Sequence, residues 1–145
     1  MSIKIKKCPS ADSKEELLTA ITMHINDVQK GCAFIANKII EAGINHDHTK
    51  IPTIDEYIEE VNSGIDLRNG KWYPEHIKNE RHHWHSLDNC PDDYNLIDVI
   101  ETLVDCVMAA KARIGQTTKV SINPELLAKA FKNTVEMLDN EIILE

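Results

Sequence analysis

Apolar positions along this chain recur every three to four residues, and Gly, Pro and capping side chains divide the pattern into five stretches. The first spans residues 13–42 and places Leu17, Ile21, Val28, Ile35 and Ile39 on one face. Ser13 followed by Glu16 reads as a capping box at its start, and Gly43 as a stop at its end. A second, short stretch opens with Thr53 and Glu56, another capping-box pattern, and ends near Asn62. The third opens at Pro74 and runs to about Ser86, where residues 88–91 break it. The fourth covers residues 94–114 and stops at Gly115. Its Val99, Ile100, Leu103, Val104, Cys106 and Val107 cover so much of the circumference that a largely buried helix is expected. The fifth starts with Asn123 as N-cap and Pro124 in the first turn, and continues to about Asn140. No strand pattern competes. The pattern predicts an all-α fold: a single-domain compact bundle of about five helices over residues 13–145, preceded by an extension over residues 1–12.

Composition narrows the function classes. A chain of 145 residues supports one hydrophobic core, and 42% hydrophobic with 28% charged residues is an ordinary globular balance. Sixteen Lys and Arg against 24 Asp and Glu give a net charge of −8, which argues against the broad basic surface that holds duplex nucleic acid. The lysines at 4, 6 and 7 precede no apolar run, and nothing approaches the roughly 18 apolar residues of a membrane span, so a cytoplasmic location is expected. The cysteines at 8, 32, 90 and 106 form no CxxC pair and read as reduced thiols, with Cys32 and Cys106 expected to pack as small hydrophobes.

Histidine changes the picture most. Of seven, His24 lies in the first stretch, His46 and His48 flank Asp47, and four fall between His76 and His85. His24 shares the helical face of Leu17, Ile21 and Val28, so its ring is expected to point into the core, where an imidazole needs a partner. His46 and Asp47 follow the Gly43 stop, where the chain can turn back toward that face. Neutral imidazole with carboxylate suits manganese, iron, cobalt, nickel or zinc, with magnesium a further option. On a regular third helix His76, Asn79 and His83 share a face with Glu80 at its edge, while His82 and His85 point elsewhere. That face suits a second metal or a phosphate, or is a polar surface stripe. In the fourth stretch Asp98, Glu101 and Asp105 align at i, i+3 and i+7, either as a solvated stripe or, for Asp105 beside Ala109 and Ala112, as a ligand reaching toward His46 and Asp47.

In order, His24, His46-Asp47, His76 to His83, and Asp105 resemble the H…HD…H…D arrangement of the HD-domain superfamily of helical, metal-binding phosphohydrolases. The blocks HDHTK, YPEHIKNERHHWH and LIDVIETLVDCVMAAKAR are similar, more narrowly, to a family of short HD-like proteins of unknown function, over about residues 24–113. The resemblance implies one or two divalent ions, with His24, His46, Asp47 and Asp105 holding the first and Asp47 bridging to a second on His76 and His83, where His82 and His85 compete for the place of His83. It also implies hydrolysis of a small phosphate ester or anhydride, a nucleotide among the options. Lys50 would hold the phosphate, and Glu80 or Glu101 would relay a proton or orient an imidazole. The rival expectations are an iron-dependent oxygenase of the same superfamily and a non-catalytic binding protein stabilised by metal.

Overall fold

The computed structural model describes residues 2–10 and 12–145. Among them are helices α1 (Lys14–Asn45), α2 (Ile54–Ser63), α3 (Trp72–Asn79), α4 (Leu96–Ile114) and α5 (Pro124–Glu141), with 3-10 turns at Leu67–Asn69 and Arg81–His83. The expected all-α bundle is what is found. A small addition is a parallel pair of strands, β1 (Ile3–Ile5) and β2 (Ile142–Leu144), with Ile3 opposite Ile142. This pair ties residues of the N-terminal extension to the segment following α5. None of the helices is long and apolar enough to cross a membrane.

Several ends form where the sequence signals them. The Ser13 and Glu16 capping box is present, Asn123 accepts from the amides of Glu125 and Leu126, and Gly115 closes α4 in the left-handed conformation at φ 74°. Other boundaries differ. α1 does not stop at Gly43 but continues to Asn45, because a single glycine costs a helix only about 1 kcal/mol and the Asn45 side chain bonds back to the Glu41 carbonyl. The result is one rod of 32 residues, about 48 Å long. Thr53 makes no capping bond. Its hydroxyl donates to the Thr49 carbonyl and accepts from the Trp72 indole at 2.7 Å. The third stretch is not one helix, since Glu80 is extended (φ −107°, ψ 110°) and the chain re-forms only as the 3-10 turn Arg81–His83.

The core is small and sits where the loop before α4 meets α4 and α5. Cys90, Tyr94, Leu126 and Ala130 are buried together, with Trp84, Leu96, Val99 and Ile122 packed against them. Trp84 thus packs inward. Polar bonds fasten this junction: Leu96 N donates to Thr134 Oγ1 at 2.9 Å, and the Asn133 amide donates to the Tyr94 carbonyl at 2.7 Å. α4 is less buried than its composition suggests, because Leu103 and Val104 remain about half exposed. Cys32 is also exposed rather than packed, Cys106 is half-buried, and all four cysteines are free.

Candidate metal centre

The end of α1, the turn after it, the 3-10 turn and the middle of α4 meet at one point. His46 caps α1, and Asp47 then adopts φ 54°, a left-handed conformation that Asp tolerates better than most residues and that starts the turn folding back. Around Asp47 Oδ1 lie His76 Nε2 at 3.3 Å, His82 Nε2 at 3.5 Å and His83 Nε2 at 4.0 Å. His46 Nε2 is 3.4 Å from Asp47 Oδ2 and 3.6 Å from Asp105 Oδ1. Donor atoms bound at about 2.1 Å and subtending 90–109° at an ion sit roughly 3.0–3.4 Å apart, which is the spacing approached here. Three overlapping groups have their ligand atoms within 4.8 Å of one another: His46, His82 and Asp105; Asp47, His82 and His83; and Asp47, His76 and Glu80. Each group could hold a metal ion.

The far nitrogens of His46 and His76 are anchored. Glu101 Oε1 lies 2.9 Å from His46 Nδ1 and 3.0 Å from His82 Nδ1, although the second contact is too poorly aligned to be a hydrogen bond. Thr49 donates both its amide and its hydroxyl to Glu80 Oε1, at 3.0 and 2.7 Å, and its hydroxyl is 2.8 Å from His76 Nδ1. With its one proton given to Glu80, the Thr49 hydroxyl accepts from His76 Nδ1, which assigns that tautomer and leaves a lone pair on His76 Nε2 facing Asp47 Oδ1. Glu101 orders His46 in the same way, so a neutral ring presents an Nε2 lone pair to Asp47 and Asp105. Asp47 Oδ1 and His82 Nε2 are buried without a hydrogen-bond partner. His83 Nε2 lies 3.0 Å from His76 Nε2 and donates to that lone pair, while the unpartnered Asp47 Oδ1 with the imidazole nitrogens around it fits a cation.

Electrostatics follow the same layout. Burial works to raise the Asp47 and Glu101 carboxyls, but Lys50 at Asp47, and His82 with His46 at Glu101, outweigh it and hold both below their ordinary values. Burial is likewise outweighed at Glu80 by its two bonds from Thr49, so that carboxyl also lies low. Burial and the neighbouring His82 and His76 push His83 down to about 4, and burial with Lys50 lowers His76. Burial opposes charge on His82, yet Glu101 and Asp47 raise it.

His46, Asp47, Asp105, His76 and His83 come together, with Glu80, Glu101 and Lys50 around them. His24 does not join them. Because α1 is unbroken, His24 lies about 30 Å along its axis from His46, and it is exposed rather than in the core. His82, which a regular helix would point elsewhere and which competed with His83 for a ligand's place, is 1% exposed and stands in the centre, because the helix break at Glu80 rotates it inward. His85 is exposed. No Gly or Pro between His76 and His85 marks that break, so the sequence carries no local signal for it. Thr49, which orients both His76 and Glu80, was equally unmarked.

Asp98 is neither solvated nor part of the cluster. Its carboxylate forms a two-pronged pair with Arg81, Nε to Oδ1 at 2.7 Å and Nη2 to Oδ2 at 2.8 Å, and accepts from Asn95 N at 2.8 Å. Arg81 also reaches Asp93 Oδ1 at 3.0 Å, so its guanidinium is occupied. This pair and the bond from Thr102 Oγ1 to the His82 carbonyl at 2.7 Å pin the 3-10 turn on α4. Compared with known proteins, the chain matches no family model, no curated protein and no solved structure.

Proposed function

We propose that this protein is a divalent-metal-dependent phosphohydrolase acting on a small phosphate ester or anhydride, with nucleotides among the candidate substrates. The observation that carries the reading is the lone-pair face of His76 and His46 turned toward Asp47 and Asp105. In this reading His46, Asp47, His82 and Asp105 hold one ion, and Asp47 with His76 and His83 can hold a second. A bound divalent ion supplies Lewis-acid chemistry, neutralising phosphoryl charge and bringing the pKa of a water toward neutrality.

The chain's own groups divide the remaining work. Glu101 and Thr49 fix ring orientation, while Glu80 holds Thr49 and lies 3.1 Å from His48 Nδ1. Access is from the side of Lys50, Asp105 and His46, whose side chains keep 43%, 32% and 29% of their exposure. Lys50, paired with Asp47, is the cation at this rim that can receive a phosphoryl oxygen. Arg81 is not assigned that role, being committed to Asp98 and Asp93. A cavity behind His76, about 660 Å³, is rimmed by Glu56, Glu59, Glu60 and Glu75 and is unsuited to an anion.

The test is phosphate release from monoesters, diesters and nucleotides by protein reconstituted with manganese, iron, cobalt, nickel, zinc or magnesium, with Asp47→Asn as the control. Turnover that chelator abolishes and metal restores is the expected result. Full occupancy with no phosphate release overturns the proposal. Oxygen uptake by iron-loaded protein would then point to the oxygenase, and its absence to a binding protein.

A further inference from the structure

We propose that the N-terminal half of α1 is the contact surface of a dimer formed by two copies of this chain. The first observation is area. A compact monomer of 16.5 kDa exposes about 7,500 Å², whereas this chain exposes 10492 Å². The excess, roughly 3,000 Å² over the whole chain, is more than the ~800 Å² per partner that a standard stable interface needs.

The second observation is where apolar surface lies. Leu17, Leu18, Ile21, Ile25 and Val28 are 47–63% exposed on successive turns of α1. At about 100° per residue they form one stripe, and the same stripe continues into Ile35 and Ile39, which are half-buried. One face thus runs the length of the helix, partly covered in its C-terminal half and bare in its N-terminal half. β1 does not cover the bare part: Met23, Asn26 and Lys30, which line the cavity beside β1, lie on the opposite side of α1. A surface helix exposing five large aliphatics in a row is normally a contact face rather than free surface. A second copy is the occupant the area argument favours, since it offers the same stripe together with Leu103, Val104 and Met108 of α4, 49–64% exposed.

The experiment is sedimentation velocity with light scattering on the full chain and on Ile21→Glu/Ile25→Glu, neither residue being near the metal cluster. Wild type should sediment at twice the 16.5 kDa chain mass, and the double variant should lose the dimer while keeping its helical circular dichroism. A monomeric wild type overturns the proposal, and a dimer that persists in the folded variant overturns the assignment to this face. If the variant does not fold, hydrogen exchange of wild type decides. Protection over residues 17–28 that rises with protein concentration supports the dimer, and concentration-independent exchange refutes it.

Discussion

Replacing Asp98 with alanine should unfold the protein at lower temperature and loosen the metal site without removing a ligand. The carboxylate is 6% exposed and makes two bonds to Arg81 and one to Asn95 N. Breaking a fully buried ion pair costs about 3–5 kcal/mol. Arg81, however, is 38% exposed and retains Asp93, so its orphaned charge stays hydrated and the loss falls to roughly 2 kcal/mol. Losing the bond to Asn95 N removes half of the α4 capping box and adds about 0.5–1 kcal/mol. A total of about 2–3 kcal/mol corresponds to a fall of roughly 6–12 °C in Tm for a domain of this size. Asp98→Asn, which keeps an acceptor for Asn95 N, should lose about half as much. Because Arg81 opens the turn that carries His82 and His83, metal affinity should fall by about tenfold, the size of an indirect ligand-orienting effect. Thermal unfolding by circular dichroism, paired with metal titration, reads both quantities. A midpoint for Asp98→Ala within about 1 °C of wild type would refute the argument that this pair anchors the turn.

Asp105→Ala should show the reverse pattern, losing most bound metal by elemental analysis with little change in apo stability, because its side chain is 32% exposed and faces His46. Glu101→Gln should weaken metal binding by roughly 10–100-fold in a competition titration, since it orients His46 and borders His82. Gly70→Ala should destabilise by about 1–3 kcal/mol in denaturant unfolding, because a Cβ there meets the Glu60 carboxylate that accepts from Lys71 N and Trp72 N. Stripping metal should lower Tm by an amount matching about 2.7 kcal/mol at a hundredfold excess of metal over Kd, while far-UV circular dichroism stays helical. A random-coil spectrum without metal would show that the core around Tyr94 and Leu126 does not hold the fold alone.

What the sequence by itself determined is what short-range physics decides. Ser13 with Glu16, Asn123 with Pro124, and Gly115 act within one helical turn, and each caps its helix where its spacing says. His46, Asp47 and Asp105 were legible as site candidates because residue type and helical register limit where they point. Gly43 shows the limit of such signals: a weak local preference to stop yields when the following residues have contacts to make across the fold. That decision removed His24 from the site, since an unbroken rod cannot turn its own midpoint back toward its end. The inward placement of His82 was also decided only in three dimensions. It depends on a helix break with no Gly or Pro, held by Arg81 to Asp98 across 17 positions and by the His82 carbonyl to Thr102 across 20. Bonds between residues that far apart leave no periodicity in the chain, so only the packing of the 3-10 turn on α4 selects which of four clustered histidines face the carboxylates.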